Sequence, residues 1–177
     1  MIPIRNRKKT LKVTVEEMRN FAFEYIEKYA PSKQQLKTYL LKKYLKTSVP
    51  NVKKQDVTSL IDVVLSDLEK SKFINDKFYS ESKAKSMIQR GSSINKIRSY
   101  LIGKGINDGF IKETVNKIND ENSDQDFFSA IKLCKKKRIG PARIEDNRAL
   151  FYKKDISLLA RNGFDFETSK KIMDIEK

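Results

Sequence analysis

Two groups of basic side chains could hold an anion. Lys83, Lys85, Arg90, Lys96, Arg98 and Lys104 lie mid-chain, and Lys135, Lys136, Lys137 and Arg138 follow as an unbroken run. Such groups neutralise phosphates or meet acidic protein surfaces by charge, without reading sequence. For the first group the alternative is a solvated basic face that keeps a helical protein soluble. For the second, two readings stand: phosphate binding, or cations at a helix C-terminus, where the helix dipole favours them. Arg5, Arg7, Lys8 and Lys9 form a basic arm ahead of any helical pattern, either a weak, non-specific nucleic-acid tail or a tail without a role.

Other chemistries are poorly served. Histidine is absent and Cys134 is the single cysteine, which removes Ser-His and Cys-His nucleophile pairs, a disulfide framework and a cysteine-based metal site. No phosphate-binding Walker loop occurs. Asp120, Glu121, Asp124 and Asp126 sit in an Asn/Ser-rich stretch without the Gly and terminal Glu of a calcium loop, so they read as a linker. Tyr25, Tyr39, Tyr79 and Tyr100 could stack on bases, but their places on apolar stripes or at repeat-equivalent positions favour core packing. Ser32 and Ser93 read as helix caps and Cys134 as a small core residue. No enzyme, metal or cofactor is expected.

The positioning elements follow from composition and period. The 177 residues are 38% hydrophobic and 34% charged, a balance that suits small helical units better than one deep globule. The formal charge of +15 is uneven: +7 over residues 1–71, +6 over 72–118 and +2 over 119–177. A positive field over the first two thirds favours an anionic partner, whether nucleic acid, an acidic protein or a membrane surface. An AT-rich genome that favours lysine would produce the same bias without a partner. No apolar run approaches membrane-spanning length, and the first twelve residues lack the apolar core of a signal peptide. A soluble, reduced, cytoplasmic monomer is the expectation.

Helical periodicity dominates. Met18, Phe21, Ala22, Tyr25, Ile26 and Tyr29 mark a first stripe; Pro31 and Ser32 separate it from a second with Leu36, Tyr39, Leu40 and Tyr44. Val57, Leu60, Ile61, Val64, Leu65 and Leu68 form the third and cleanest. The pattern restarts at "FINDKFY" with a helix of weak stripe ending near Arg90, then one carrying Ile94, Ile97, Leu101 and Ile102, then one from about Asn107. It restarts again after "NDENSDQD" with Phe127, Phe128, Ile131 and Cys134. "IGPARIEDN" is a break, and "ISLLARNGF" and "DFETSKKIMD" give the last helices.

Two echoes tie these segments together. With Ser32 set on Ser93, an offset of 61, Leu36 meets Ile97, Tyr39 meets Tyr100, Leu40 meets Leu101, Leu41 meets Ile102 and Lys43 meets Lys104. At an offset of 58, Leu101 meets Leu159, Gly105 meets Gly163 and Ile106 meets Phe164. The expected fold is all-α: a basic arm (1–14), then three tandem three-helix, helix-turn-helix-like repeats (15–72, 73–120 and 121–177). Stacked repeats of this kind give an elongated, curved body.

The stretch from 73 to 106 resembles the RecX family of bacterial recombinase regulators. Phe73, Ile74, Asn75, Asp76, Tyr79, Arg90, Gly91, Ile97, Leu101, Lys104, Gly105 and Ile106 occupy the positions of its second-repeat pattern. "AFEYIEKYAPSKQQLKTYLLKK" follows its first repeat, and "KKKRIGPAR" with "LARNGFDFETSKKIMD" is similar to the third repeat of an alphaproteobacterial branch. Lys72 stands where many members have Gly, and Lys28 and Tyr29 replace a common basic motif. The resemblance implies a non-enzymatic, all-helical protein of three repeats that binds the recombinase RecA. Such proteins lodge in the groove of its filament on single-stranded DNA, span neighbouring subunits, and suppress filament growth, ATP hydrolysis, strand exchange and co-protease activity. Direct contact with single- or double-stranded DNA is a further expectation. A basic helical nucleic-acid binder without a recombinase partner and a passive adaptor stay open beside it. No segment concentrates Arg, Asn and Gln as a groove-reading helix does; the fifth helix offers Asn95, Lys96 and Arg98 alone.

Overall fold

The structure, a computed structural model, describes residues 11–46 and 53–175; Arg5, Arg7, Lys8 and Lys9 lie outside them. Every regular element among the described residues is helical. Two compact units divide between Asn75 and Asp76.

The first unit packs α1 (Val15–Tyr29), α2 (Lys33–Lys46) and α3 (Lys54–Lys70). Thr14 caps α1 by accepting the Glu17 amide, and Glu16 and Glu17 place negative charge where the helix dipole favours it. Ala30 turns left-handed and ends the helix ahead of Pro31. Ser32 and Gln35 then form a reciprocal capping box: Gln35 N donates to Ser32 Oγ and Ser32 N to Gln35 Oε1, each at 3.2 Å. Met18, Leu36, Leu40, Ile61 and Leu65 fill the core, each burial favouring the fold by about 1.5–3 kcal/mol. Tyr29, on the predicted stripe, instead lies exposed at the helix end, its ring tilted against Tyr25.

The end of α3 carries a conformational cost. Lys72 is left-handed at φ 60°, and the amides of Lys72 and Phe73 return to the carbonyls of Glu69 and Leu68. This closure ordinarily takes Gly at that place. It turns Ile74, which the sequence pattern sets at the head of the second repeat, into the first core.

The second unit holds two cores. Around the first pack α4 (Asp76–Gln89), α5 (Ile94–Gly103) and α6 (Asp108–Glu121). The weak stripe of α4 has a polar cause. Ser80 is buried, donates to Lys77 O, and lies 2.9 Å from the buried Thr114 Oγ1 on α6. Ile102, counted on the apolar stripe of α5, faces outward.

The last core joins α7 (Gln125–Lys137), α8 (Arg148–Arg161) and α9 (Phe166–Met173), with 3-10 turns at Gly140–Ala142 and Glu145–Asn147 in the predicted break. The expected acidic linker is largely helix. Asp120 and Glu121 ride on α6, Asp126 lies in the first turn of α7, and three residues join the two helices. Asn122 makes so short a connection possible by accepting the Asp124 amide at 3.0 Å.

The weaker sequence echo is written into the backbone. Ile106 N donates to Leu101 O at 3.1 Å, and Phe164 N donates to Leu159 O at 3.3 Å. Leu101, Leu159, Ile106 and Phe164 are all buried, so the same closure locks α5 and α8 onto their cores.

Candidate partner-binding surface

The six predicted basic residues of the middle triad have four different fates. Lys83 lies 5.4 Å from the ring centre of Tyr79, one turn back on α4, and Lys104 lies 5.2 Å from that of Tyr100 on α5. The two tyrosine hydroxyls are 3.3 Å apart and both rings pack on the middle core. These tyrosines are therefore committed to each other and to the lysines above them. A cation over a ring is worth about 0.5–1 kcal/mol at an exposed site, enough to hold the lysine stem down while its charge stays outside.

Arg90 folds back on its own helix, with Nε on Ser86 O at 3.1 Å and Nη2 on Ser86 Oγ at 2.5 Å. Lys96 reaches out of its triad to Asn162 Oδ1 at 2.7 Å. Lys85 and Arg98 are exposed on α4 and α5.

The first triad repeats the tyrosine–lysine device. Lys43, equivalent to Lys104, places Nζ 3.3 Å from the Tyr39 hydroxyl and 3.4 Å from the centre of the Phe21 ring. Tyr39, equivalent to Tyr100, stacks on Tyr25 with centroids 4.1 Å apart. The two echoing helices thus each hold one ammonium near the ring of an equivalent tyrosine, Lys43 at 5.6 Å from Tyr39 and Lys104 at 5.2 Å from Tyr100.

Lys135, Lys136, Lys137 and Arg138 are exposed at the C-terminal end of α7, and Arg138 closes the helix in a left-handed conformation. The position suits the helix dipole and leaves the charges open to an anion.

The third triad adds a feature that sequence reasoning missed. Asp155 on α8 is buried and accepts three hydrogen bonds: from Gly140 N at 2.8 Å, Arg143 Nε at 2.6 Å and Arg143 Nη2 at 2.8 Å. Burial pushes its carboxyl up, but Arg143 and the Gly140 amide outweigh that and hold it below the usual carboxylate range. The Arg143 guanidinium also lies 4.3 Å from the centre of the Phe151 ring. The break is thereby clamped to α8. Outward from this clamp stand Ile144, 71% exposed, and Leu150, 77% exposed, with Lys153 and Lys154 also exposed on α8. Isoleucine and leucine held outward on a fixed frame suit a protein contact better than phosphate. Ile144 lies in the expected break and Leu150 between it and the expected last helices, so neither falls on an apolar stripe.

Among the described residues no cluster of carboxylates and thiols could hold a metal ion, and no helix is long and apolar enough to cross a membrane. Asp126 is engaged structurally: its Oδ1 accepts the Ile94 amide at 2.8 Å. Burial, with Asp165 adding, raises its pKa against that bond and Arg98. Cys134 is buried, and burial followed by the nearby Asp155 charge pushes its thiol up to about 11.

No family model matches the chain. It is 30% identical over 176 residues to regulatory protein RecX of Myxococcus xanthus, across 96% of this chain and 91% of that one. It is 32% identical over 124 residues to regulatory protein RecX of Lactococcus lactis subsp. cremoris, across 66% of this chain and 43% of that one. A crystal structure of a regulatory protein RecX superposes with a TM-score of 0.59 at 19% identity, over 91% of this chain and 74% of the other, a likeness of fold.

Proposed function

The chain belongs to the RecX family of regulatory proteins, and from that premise we propose that it is a negative regulator of the RecA recombinase. In this reading it binds along the groove of the filament on single-stranded DNA, across neighbouring subunits. It suppresses filament growth, ATP hydrolysis, strand exchange and co-protease activity. The observation that carries the proposal is the identity to a named regulator along nearly the whole of both chains.

The geometry supports how binding alone could regulate. Two triads present an equivalent ammonium, Lys43 and Lys104, fixed over aromatic rings. A partner built of equivalent subunits offers each triad an equivalent surface, so weak contacts add through effective concentration. Spanning several subunits would freeze the movements that nucleotide turnover requires, with no catalytic group on this chain. Ile144 and Leu150 would touch the protein part of the filament, and Lys135 to Arg138 its phosphates.

The test is ATP hydrolysis by the cognate RecA on single-stranded DNA, titrated with this protein well below one per recombinase subunit. Inhibition that persists with excess DNA supports the proposal. The exposed run Lys135–Arg138 and the charge of +15 favour a second reading, a nucleic-acid binder that needs no recombinase. Absence of inhibition, or inhibition abolished by extra DNA, would point there.

A further inference from the structure

The N-terminal turn of α5 is where the middle and third triads meet. Ser93, buried, accepts the Lys96 amide at 3.1 Å as a cap and donates its own proton to Asn162 O at 2.7 Å. Ile94 N donates to Asp126 of α7, so a carboxylate from the next triad serves a second open amide of α5. Asn95 Nδ2 donates to Gly163 O at 3.1 Å, and Lys96 Nζ to Asn162 Oδ1. The Asn162 amide is itself oriented by donating to Leu158 O at 2.8 Å.

Backbone meets backbone at two places in this joint. A Cβ on Gly163 would stand 2.5 Å from Ser93 Oγ and 3.1 Å from Lys96 N. A Cβ on Gly91 would stand 2.9 Å from Ser129 O and 3.0 Å from Leu133 N of α7. Both glycines have φ near +80°, a left-handed conformation that also disfavours any side chain. Residues 76–177 accordingly form one compact unit although they hold two separate cores.

We infer that this joint makes the middle and third triads one rigid binding body, in which Asn95, Lys96, Asp126 and Asn162 are positioning residues for regulation. The inference rests on the regulatory reading above. Lys96, a candidate contact by charge, acts as a strut, because its ammonium is directed at the neighbouring triad. Rigidity matters because linked contacts add only when the link holds both at the right spacing.

The test places nitroxide labels on Ser82→Cys of α4 and Ser157→Cys of α8 in the full chain; Cys134 is buried and stays unlabelled. Pulsed electron resonance should give one narrow distance distribution. The triple variant Asn95→Ala, Asp126→Ala, Asn162→Ala keeps the Lys96 charge. It should broaden that distribution with helical content unchanged, and should raise the concentration for half-inhibition of RecA ATP hydrolysis at least about tenfold. Asp126→Asn in place of Asp126→Ala within that variant supplies an acceptor for the Ile94 amide again and should recover part of both. A distribution left narrow by the triple variant overturns the joint, and broadening without any change in inhibition overturns its positioning role. Should the unsubstituted chain leave ATP hydrolysis untouched, the regulatory reading fails by itself. The joint then stands or falls on the distances.

Discussion

Arg143 grips Asp155 with two parallel hydrogen bonds and so ties the turn after α7 to the buried face of α8. Removing Asp155 leaves the buried Gly140 amide without its acceptor, and a buried polar group left unsatisfied typically costs about 1–3 kcal/mol. Asp155→Ala should lower the guanidinium midpoint of the second unit accordingly. The pH dependence has a definite sign. The folded carboxyl sits below its ordinary value, so the unfolded chain takes up the proton more readily. The stabilisation is complete above the unfolded pKa of about 3.9 and is lost as pH falls through the lower folded value. Asp155→Ala should flatten stability against pH in that acid window, as read by denaturant titrations at successive pH values.

Lys72→Gly should stabilise the first unit. A side chain in the left-handed region costs about 1–2 kcal/mol, partly offset by glycine's greater freedom when unfolded. The net gain, about 0.5–1 kcal/mol, should appear as a higher urea midpoint. An unchanged or lower midpoint would mean that the lysine side chain makes a compensating contact.

Cys134 should react slowly while the chain is folded. With its pKa near 11, little thiolate exists at pH 8. An unfolded cysteine near 8.5 holds about two orders of magnitude more. Disulfide-exchange reagents followed in buffer and in denaturant would measure the ratio.

Neutralising Lys135, Lys136 and Lys137 to Gln separates the two roles of that run. If these lysines meet phosphates, the slope of log affinity for single-stranded DNA against log salt should fall by about one for each lysine–phosphate pairing removed. If they serve the helix dipole, the slope will hold and thermal stability will drop by about 0.3–1 kcal/mol per charge at most.

Ile144→Ser with Leu150→Ser should weaken RecA inhibition while leaving DNA affinity and helical content unchanged. Loss of an apolar pair from a protein interface commonly costs about 1–3 kcal/mol, or roughly five- to 150-fold. Equal inhibition by the double variant would remove this edge from the binding surface.

Helical period located the apolar faces that fill the three cores, because burial imposes the period directly. The echoes of Leu36 with Ile97 and Leu101 with Leu159 were legible for the same reason: all four side chains are buried. What escaped depends on which surfaces meet. Asp126 reads as linker acid until α7 brings it to the Ile94 amide, and Lys96 reads as a binding cation until Asn162 faces it. Neither relation leaves a trace in local spacing. Ile144 escaped because a break in period reads as a mere connection, and Leu150 because the expected last helices begin only at Ile156 whereas α8 begins at Arg148. The Arg143–Asp155 clamp that orders it joins residues twelve apart across that break.

The paired closures at Ile106 and Phe164 have a consequence for dissecting the gene. Each helix stop is a self-contained cassette, an amide returned to a carbonyl five residues back with an apolar side chain driven inward. Splice points for chimaeras between relatives should therefore fall after such a cassette and never within it. By the same logic a fragment of the first unit should end at Asn75, since cutting at Lys72 would discard Ile74, the plug of its core.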